Sequence, residues 1–393
     1  MKLEIIEARQ DRGCPVCGDG MRKLLDLKRY PLTEIFEPYR EDIFDNTGFA
    51  DQGFLYCERC GHGKLETVIS KEFLYRHYRT ATSGSIGALS AVRNFHAFVT
   101  EHVDARKLDA IVDIGANDAT LLDSFADHEK QLVAIDPNAG ADSHPGVTVM
   151  RDFIENVDLS PLRAARKLIL CSHTIEHIEA PLALLARLHI AMGSEDVCAF
   201  QFPSLDLLVR DARFDQIHHQ HIHYFSRRSI SLMLSKAGFG PVALRFDGDH
   251  YGALMVLFRK LEGRTGESPA AAIPLGLIEA QKKVFDLEIG AANLRIEKNP
   301  EPMVAFGAAL MLPLVAFHLP ALERIECIVD DDRSKEGLRF INFNKRIVHS
   351  DGFRFDGKDV VVTAISTKLA LRRVVEKLFK LGIGNIIVPL NRI

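Results

Sequence analysis

Short apolar runs alternate with amphipathic segments through the middle of the chain. The apolar runs have the length of buried strands and read LDAIVDIG, QLVAID, KLILCS and DVCAFQF. Helical periodicity lies between them, in TLLDSFA and APLALLARLHIAM. Strands that alternate with helices predict a doubly wound α/β sheet, which the runs PVALRF and ALMVLF complete as late strands. We assign this Rossmann-like domain to residues 106–261.

The same alternation returns towards the C-terminal end. The runs MVAFGAAL, IECIVDDD, DVVVTAIS and NIIVPL are short and apolar, and helical patterns separate them. They predict a second, smaller Rossmann-like domain over residues 301–393. Residues 262–300 predict a flexible joint followed by an amphipathic helix. At the other end, residues 81–105 predict a connecting helix, and residues 1–80 predict a separate small domain.

The composition is that of an ordinary globular protein. Of 393 residues, 47% are hydrophobic and 26% are charged, and the net charge is 49 − 53 = −4. Basic and acidic residues are interspersed, without the long basic run that marks a nucleic-acid or membrane surface. We see neither an apolar signal region nor a run long enough to span a membrane. We therefore expect a cytoplasmic protein, monomeric or homodimeric, that binds neither nucleic acid nor membrane.

Four of the seven cysteines form two close pairs, Cys14 with Cys17 and Cys57 with Cys60, and a glycine follows each pair. In a CxxCG knuckle, the glycine lets the chain turn so that two thiolates face one ion. Two knuckles complete a tetrahedral zinc site, and four thiolates leave no open position, which indicates a structural role. The alternative is four unrelated free cysteines. We expect His62, just after the second knuckle, to be a surface residue.

A cofactor loop is predicted at IVDIGANDATLL, where a strand passes through a tight turn into a helix. Gly115 lets the backbone approach a ligand closely, and Asn117 lies in the same turn. Asp136 ends the next strand, where an acid can accept both ribose hydroxyls. These features favour a nucleoside cofactor, with a plain helix-packing turn as the alternative.

The loop favours S-adenosylmethionine over NAD. A dinucleotide fingerprint requires GxGxxG, because pyrophosphate sits on the helix N-terminus. Here the turn reads GANDA, and its Asp118 would repel a pyrophosphate but suit a cationic methionyl group. Asp113, before the glycine, indicates the same. Two other candidate contacts are Ser172, at the end of KLILCS, and the pair Asp152-Phe153, which could hold the adenine unless Phe153 is an ordinary core residue.

Histidines cluster in FDQIHHQHIHYFS, residues 214–226. His177 and His173 follow the strand KLILC, whose carboxyl end opens onto the cofactor cleft. In an extended loop, His219, His221 and His223 would share one face, with His218 and Gln220 on the other. Histidine titrates nearest neutral pH, so general acid/base chemistry is the favoured interpretation. A metal site of His177, His219 and His221 is an alternative, and several of these histidines could simply be solvated or capped.

The chain resembles the zinc-containing nucleotide-sugar C-methyltransferases. The matching segments are both knuckles, FLYRHYRTATSGS, DIGANDATLL, TIEHI, FDQIHHQHIHYFS, FGAA and VDDDRSKEGLRF. The resemblance implies an N-terminal zinc domain, a central class I methyltransferase domain with a Rossmann-like fold and a C-terminal Rossmann-like domain. It also implies methyl transfer to carbon 3 of a TDP-4-keto-deoxysugar, through an enolate that attacks the sulfonium methyl, and a place for Tyr78 at the cofactor.

Several positions depart from the family motifs. The motif YHEHxxYFS places its tyrosine on His218, its glutamate on Gln220 and its second histidine on His221, and another family histidine falls on His177. Gln220 cannot take a proton. The family's GAxAKG becomes GAALMLP here, and Ala119 replaces a loop glycine. The changes lie on the acceptor side, whereas the cofactor side is mostly retained.

We therefore expect an S-adenosylmethionine-dependent methyltransferase with a structural zinc. His221 or His177 is the expected base, His218 a second proton carrier, and Gln220 and His219 further members of the site. The expected acceptor is a nucleotide-linked sugar, methylated at an enolate carbon or a hydroxyl. The alternatives are an O- or N-methyltransferase on a different small molecule, a metal-dependent enzyme and a non-catalytic binding protein.

Overall fold

The computed structural model describes most of the chain. The described residues are 8–77, 81–126, 130–139, 146–160, 166–248, 252–261, 270–364 and 368–390. Within these ranges, no helix is long and apolar enough to cross a membrane.

The N-terminal region consists of short strands around the two cysteine knuckles. Its strands are β1 (Ala8–Gln10), β2 (Arg22–Pro31), β3 (Phe36–Pro38), β4 (Phe49–Cys57), β5 (His62–Leu65) and β6 (Thr67–Ile69). Each knuckle ends at a glycine with positive φ, 81° at Gly18 and 71° at Gly61. This left-handed backbone returns the N–H of Gly18 to the carbonyl oxygen of Cys14, and that of Gly61 to Cys57. The glycines therefore make the tight turns that the spacing predicts.

Two helices connect this region to the central sheet. They are α1 (Lys71–His77) and α2 (Ile86–His102). The side chain of Ser85 accepts a hydrogen bond from the backbone N–H of Ala88, which fixes the start of α2. Phe95 and Phe98 of α2 are buried against the central sheet. The helix α2 thus lies within the segment where the connecting helix is predicted.

The central sheet has seven strands. They are β7 (Ala110–Ile114), β8 (Gln131–Ile135), β9 (Val147–Met150), β10 (Lys167–Ser172), β11 (Val197–Pro203), β13 (Phe239–Asp247) and β14 (Ala253–Lys260). Their order is β13-β14-β11-β10-β7-β8-β9, in which β7 to β11 are parallel and β14 runs antiparallel to both of its neighbours, β11 and β13. This is the class I methyltransferase form of the Rossmann-like fold. Strands β8 and β9 are added on one side of β7, whereas β10 and β11 are added on its other side. A ligand crevice forms where the strand order reverses in this way.

Short helices follow several of these strands. They are α3 (Thr120–Asp123), α4 (Pro181–Ala191), α5 (Leu205–Arg210) and α6 (Arg227–Lys236). The helix predicted at TLLDSFA is α3, which ends in a turn after four residues. Between α5 and α6 lies the strand β12 (His223–Tyr224), which belongs to another sheet.

The C-terminal region begins with α7 (Leu275–Lys298), where the amphipathic helix is predicted. It continues with β15 (Met303–Phe306), α8 (Leu312–His318), β16 (Ile328–Asp330), β17 (Leu338–Phe340), β18 (Ile347–His349), β19 (Asp359–Val362), α9 (Lys368–Lys380) and β20 (Ile386–Ile387). Five parallel strands form one sheet in the order β18-β16-β15-β19-β20. The pattern predicts all of them except β18, whose three residues give no recognisable run.

Strands from distant parts of the chain complete the small N-terminal sheets. The strand β12 pairs with β5, so that the sheet runs β12-β5-β4-β2. The strand β17 pairs with β3, and the guanidinium of the buried Arg339 in β17 donates to the Glu37 carboxylate in β3 at 2.9 Å. On the same side, the ring of Tyr30 packs edge-on against Phe317 of α8. The N-terminal region therefore contacts both of the others.

Ala119 occupies a strained position. It precedes α3 with φ 58° and ψ 13°, a left-handed conformation that costs a residue with a Cβ about 1–2 kcal/mol. We expect Ala119→Gly to raise the free energy of unfolding by about 1 kcal/mol, because glycine adopts this conformation without that cost. Urea titration measures the change. As a control, Ala183→Gly on the exposed side of α4 should lower stability by about 1 kcal/mol. Equal destabilisation by both changes would contradict the prediction.

Candidate active site

The four knuckle cysteines converge on one point. Their sulfur atoms all lie within 4.8 Å of one another. Cys14 Sγ lies 3.4 Å from Cys60 Sγ, and Cys17 Sγ lies 3.4 Å from Cys57 Sγ. A tetrahedral zinc with bonds near 2.3 Å requires sulfur separations of about 3.8 Å, so this set fits the ion with small adjustment. No other ligand group is needed, which agrees with a structural role.

His62 connects this cluster to the histidine segment. The expectation that it lies on the surface is wrong, because it is fully buried. His62 Nε2 lies 3.1 Å from Nδ1 of His223, and His223 Nε2 lies 3.4 Å from the carbonyl oxygen of Glu179. Burial lowers the pKa of both imidazoles, so they form a neutral hydrogen-bonded pair. We therefore assign His62 and His223 to the framework.

The cofactor loop is built on one close approach. Gly115 has φ 78°, and a Cβ at this position would lie 1.9 Å from Oγ1 of Thr174, in the segment after β10. The next turn residue, Asn117, is also left-handed, with φ 50°. Its N–H donates to Asp136 Oδ2 at 3.1 Å, and the N–H of Asn138 donates to Oδ1 at 2.7 Å. These bonds fix the Asp136 carboxylate at the carboxyl end of β8.

A cavity of about 200 Å³ opens at this point, and we name it the central cavity. Its polar lining on the sheet side includes Gly115, Asn117, Asp136 and Ser172. Four histidines and one amide also line the cavity, and we name this group the imidazole wall: His173, His177, His218, Gln220 and His221. Apolar side chains, among them Ile69, Leu74, Ile222 and Leu310, close the remaining sides. Polar groups at the strand ends and the imidazole wall thus line one cavity.

A smaller cavity continues from the first and shares Gly115, Asp136 and His177 with it. Asp152 and Phe153 line it, beside Asp136. Phe153 is half-buried, and the ammonium of Lys71 lies 4.3 Å from its ring centroid. Phe153 is therefore a wall residue rather than a core residue. This position, one strand beyond the ribose-type acid, suits an adenine ring.

Two other candidate cofactor residues, Asp113 and Asp118, line neither cavity. Asp113 is buried behind the loop and lines neither cavity. Burial raises its pKa to about 8. Asp118 accepts from the N–H of Ser83 at 2.8 Å and from the hydroxyl of Thr120 at 2.6 Å, so its carboxylate fixes the loop instead of facing the cavity. Tyr78 lies outside the described residues.

The histidine segment does not alternate as predicted. A turn, in which the N–H of His221 donates to the carbonyl oxygen of His218 at 3.1 Å, interrupts the extended backbone. It places the rings of His218 and His221 3.9 Å apart at their centroids, both at the central cavity. The expectation that His219, His221 and His223 share one face is therefore wrong.

His219 points away from the central cavity. Its Nε2 lies 3.2 Å from the carbonyl oxygen of Tyr30, and its Nδ1 lies 3.1 Å from Nε2 of Gln52. Both contacts are buried in the N-terminal sheet. His219 is thus a packing residue and not a member of the site, and it cannot chelate a metal together with His221.

His177 and Gln220 are connected through the backbone. Nδ1 of His177 donates to the carbonyl oxygen of Gln220 at 2.8 Å, and the ring of His177 lies 4.8 Å from that of His221. The Gln220 side chain lies at the cavity, with its Nε2 3.4 Å from an oxygen of Glu34. Burial lowers the pKa of His177, His218 and His221, which keeps these rings neutral.

The sequence reasoning missed Glu176. This carboxylate is 1% exposed, and its Oε1 lies 3.5 Å from His173 Nδ1, 3.9 Å from His221 Nε2 and 4.0 Å from His177 Nε2. Burial raises its pKa to about 7. Glu176, His177 and His221 also offer ligand atoms within 4.8 Å of one another. The available signal was the spacing HxxEH, which the short helical turn Ile175–His177 folds onto one side.

Comparison with known proteins identifies the central domain. Residues 76–244 match a family model described as a methyltransferase domain. The C-methyltransferase NovU of Streptomyces niveus is 24% identical over 250 residues, which cover 62% of this chain and 59% of that protein. The match therefore spans less than two thirds of that relative. With the fold and the loop described above, residues 76–244 form an S-adenosylmethionine-dependent methyltransferase domain.

Solved structures show more distant likeness. One is the 1,6-didemethyltoxoflavin-N1-methyltransferase of Burkholderia thailandensis, 18% identical, with a TM-score of 0.36 and coverage of 44% of this chain and 79% of that chain. Another is the PH0226 protein from Pyrococcus horikoshii OT3, 12% identical, with a TM-score of 0.40 and coverage of 49% and 100%. Likeness of this degree says nothing about the acceptor.

Gly115→Ala tests the cofactor loop. The added methyl group would meet Thr174 and would require a left-handed alanine. We expect S-adenosylhomocysteine affinity to fall at least about tenfold, equivalent to about 1.4 kcal/mol. Isothermal titration calorimetry measures it. Gly84→Ala, where a Cβ would meet no atom within 4 Å, is the control. Unchanged affinity in Gly115→Ala would place the cofactor elsewhere.

Proposed function

We propose that the chain methylates a nucleotide-linked deoxysugar, with a structural zinc in its N-terminal domain and a second Rossmann-like domain at its C-terminal end. The central cavity carries the proposal, because the fixed Asp136 carboxylate and a wall of neutral imidazoles line it together. The likeness to a C-methyltransferase supports transfer to a carbon atom. The retained motifs of the nucleotide-sugar C-methyltransferases support the sugar.

The described residues suggest how the cofactor would be held. Asp136 suits the ribose hydroxyls, and Asp152 with Phe153 lies where the adenine would extend. Asn117 and Ser172 remain for the methionyl part. S-adenosylmethionine supplies an electrophilic methyl group. The loop would position the cofactor rather than place a charge next to it, because the Asp118 carboxylate accepts hydrogen bonds from Ser83 and Thr120.

The imidazole wall receives the proton that the acceptor loses. A neutral imidazole is both a good base and, once protonated, a good acid. His221 or His177 would take the proton from the carbon next to the ketone, which leaves an enolate whose electron pair could accept the methyl group that the cofactor would supply. His218 packs against His221 and serves as a second proton carrier or as a partner of the enolate oxygen. Gln220 orients the acceptor by hydrogen bonding.

A different acceptor is the second candidate. Leu310, from the segment where the family has GAxAKG, contributes an apolar side chain to the central cavity. This surface and the amide of Gln220 favour a less polar acceptor, methylated on oxygen or nitrogen. Mass spectrometry with labelled cofactor and a panel of TDP-, GDP- and CDP-sugars separates the possibilities. A methyl group on carbon supports the first candidate, whereas a panel without any product contradicts the sugar acceptor.

His221→Ala tests the imidazole wall. We expect turnover to fall about 100-fold or more, because general-base catalysis contributes on this order. The affinity for S-adenosylhomocysteine should stay within about twofold, since the adenosine contacts lie elsewhere. His219→Gln is the control, because the amide can keep the bond to Tyr30 and the side chain lies outside the cavity. Comparable turnover losses in both variants would contradict the assignment.

Cys60→Ser tests the zinc. We expect the variant to lose one equivalent of zinc and to unfold at a lower temperature, because a structural ion contributes its binding energy to folding. Metal analysis and thermal unfolding measure the two effects. Cys327→Ser is the control, since this cysteine is half-buried in the C-terminal region, away from the cluster. Zinc retained in Cys60→Ser would contradict the four-cysteine site.

A further inference from the structure

Glu176 lies at the centre of the imidazole cluster without a hydrogen bond. Neither of its oxygens has a partner among the described residues, although both are buried. Three imidazole nitrogens surround Oε1 at 3.5–4.0 Å, from His173, His177 and His221. Buried carboxylates without partners are costly, because they lose their hydration and gain nothing in return. Such a group needs a reason to be present.

The protons of the neighbouring rings can be assigned. Gln201 Nε2 donates to Nε2 of His173 at 3.2 Å, so neutral His173 carries its proton on Nδ1, facing Glu176. Nδ1 of His177 donates to the Gln220 carbonyl oxygen, so neutral His177 presents an Nε2 lone pair to Glu176. A lone pair and a carboxylate repel unless a proton lies between them. The carboxylate is therefore arranged to favour protonation of the ring.

The backbone next to Glu176 is also strained. His173 is left-handed, with φ 52°, although it carries a Cβ. Strained residues next to a cavity persist when the surrounding structure holds them for a purpose. Here the strain aims His173 Nδ1 at the carboxylate and leaves the ring at the cavity wall. The strained backbone of His173 and the Glu176 carboxylate without a hydrogen bond thus both lie in the segment Ser172–His177.

We propose that Glu176 is the carboxylate of this active site, acting through His177 and His221 as a positioning residue. When either ring takes the acceptor's proton, the carboxylate offsets the imidazolium charge in a buried place. The acceptor's bond to hydrogen would break, and its electron pair would form the bond to the methyl carbon. The methyl–sulfur bond would break with its electron pair on sulfur, which leaves S-adenosylhomocysteine, and the proton would stay on the imidazole. The inference rests on the proposed function, and it supplies the carboxylate that Gln220 lacks.

The pH dependence follows from the groups around Glu176. These are His173, His177 and His221, together with the buried Cys171 and Tyr224. The charge of the Glu176 carboxylate further raises the pKa of the Cys171 thiol and of the Tyr224 phenol. The carboxylate assists only when ionised, so activity should rise with pH through about 7. Its pKa is raised on folding. Its ionisation therefore costs stability, and the cost grows as pH rises from the unfolded value to about 7 and then stays constant.

Glu176→Gln tests the proposal. We expect kcat with a TDP-4-keto-deoxysugar to fall about 100-fold at pH 8, with KM and S-adenosylhomocysteine affinity within about twofold. The rise of activity near pH 7 should disappear. The melting temperature at pH 8 should be no lower than in the wild type, because an unpaired charge is removed. Glu176→Asp should recover part of kcat, and Glu179→Gln, three residues further along the chain and outside the cavity, should behave as wild type.

A second measurement does not depend on the acceptor. In histidine-labelled protein saturated with S-adenosylhomocysteine, the Nε2 resonances of His177 and His221 should shift near pH 7, and Glu176→Gln should abolish the shift. Identical shifts in wild type and variant would overturn the proposal. A large loss of melting temperature in both variants would make Glu176 a structural residue. A second equivalent of divalent metal, retained in Cys60→Ser and lost in Glu176→Gln, would show instead that the cluster binds an ion. A normal shift without any methylated sugar would overturn the proposed acceptor alone.

Discussion

The position of the histidines at the central cavity depends on one two-residue strand pairing. Strand β12 adds to the edge of β5, which begins two residues after Cys60. The same strand carries Tyr224, whose hydroxyl accepts from the N–H of His218 at 2.9 Å. The strand β12 thus fixes the C-terminal end of the histidine turn, and the phenol of Tyr224 fixes its N-terminal end. The cysteine cluster and the imidazole wall are therefore held by the same sheet, although the cysteines lie outside both cavities.

Periodicity predicted most of the fold, because buried strands and amphipathic helices leave their pattern in the sequence. It could not predict the orientation of the histidine segment. The turn between His218 and His221 depends on contacts with Tyr30, Gln52 and Tyr224, and the first two of these lie far earlier in the chain, in β2 and β4. His62 was misjudged for the same reason. A polar residue next to a knuckle is usually exposed, but here a strand from residue 223 covers it.

The candidate site, too, could be predicted from the sequence only in part. Gly115 and Asp136 could be located because each has a local signature, a tight turn and a strand end. Asp113 and Asp118 have the same residue type but lie behind or beside the loop, and only the side-chain bonds distinguish them. Glu176 had only a weak local signal, the spacing HxxEH. Its importance arises from burial among three imidazoles, which come from two segments that are 40 or more residues apart in the chain.

The pairing of β3 with β17 has a consequence for how the chain folds. It joins Glu37 to Arg339, residues separated by about 300 positions, and buries the guanidinium between them. A ribosome releases the N-terminal region long before β17 exists. The edge of β3 must therefore wait unpaired while the central domain forms. Contacts of such sequence separation slow folding and expose strand edges meanwhile. We expect assembly of the N-terminal region to finish last, although it is synthesised first.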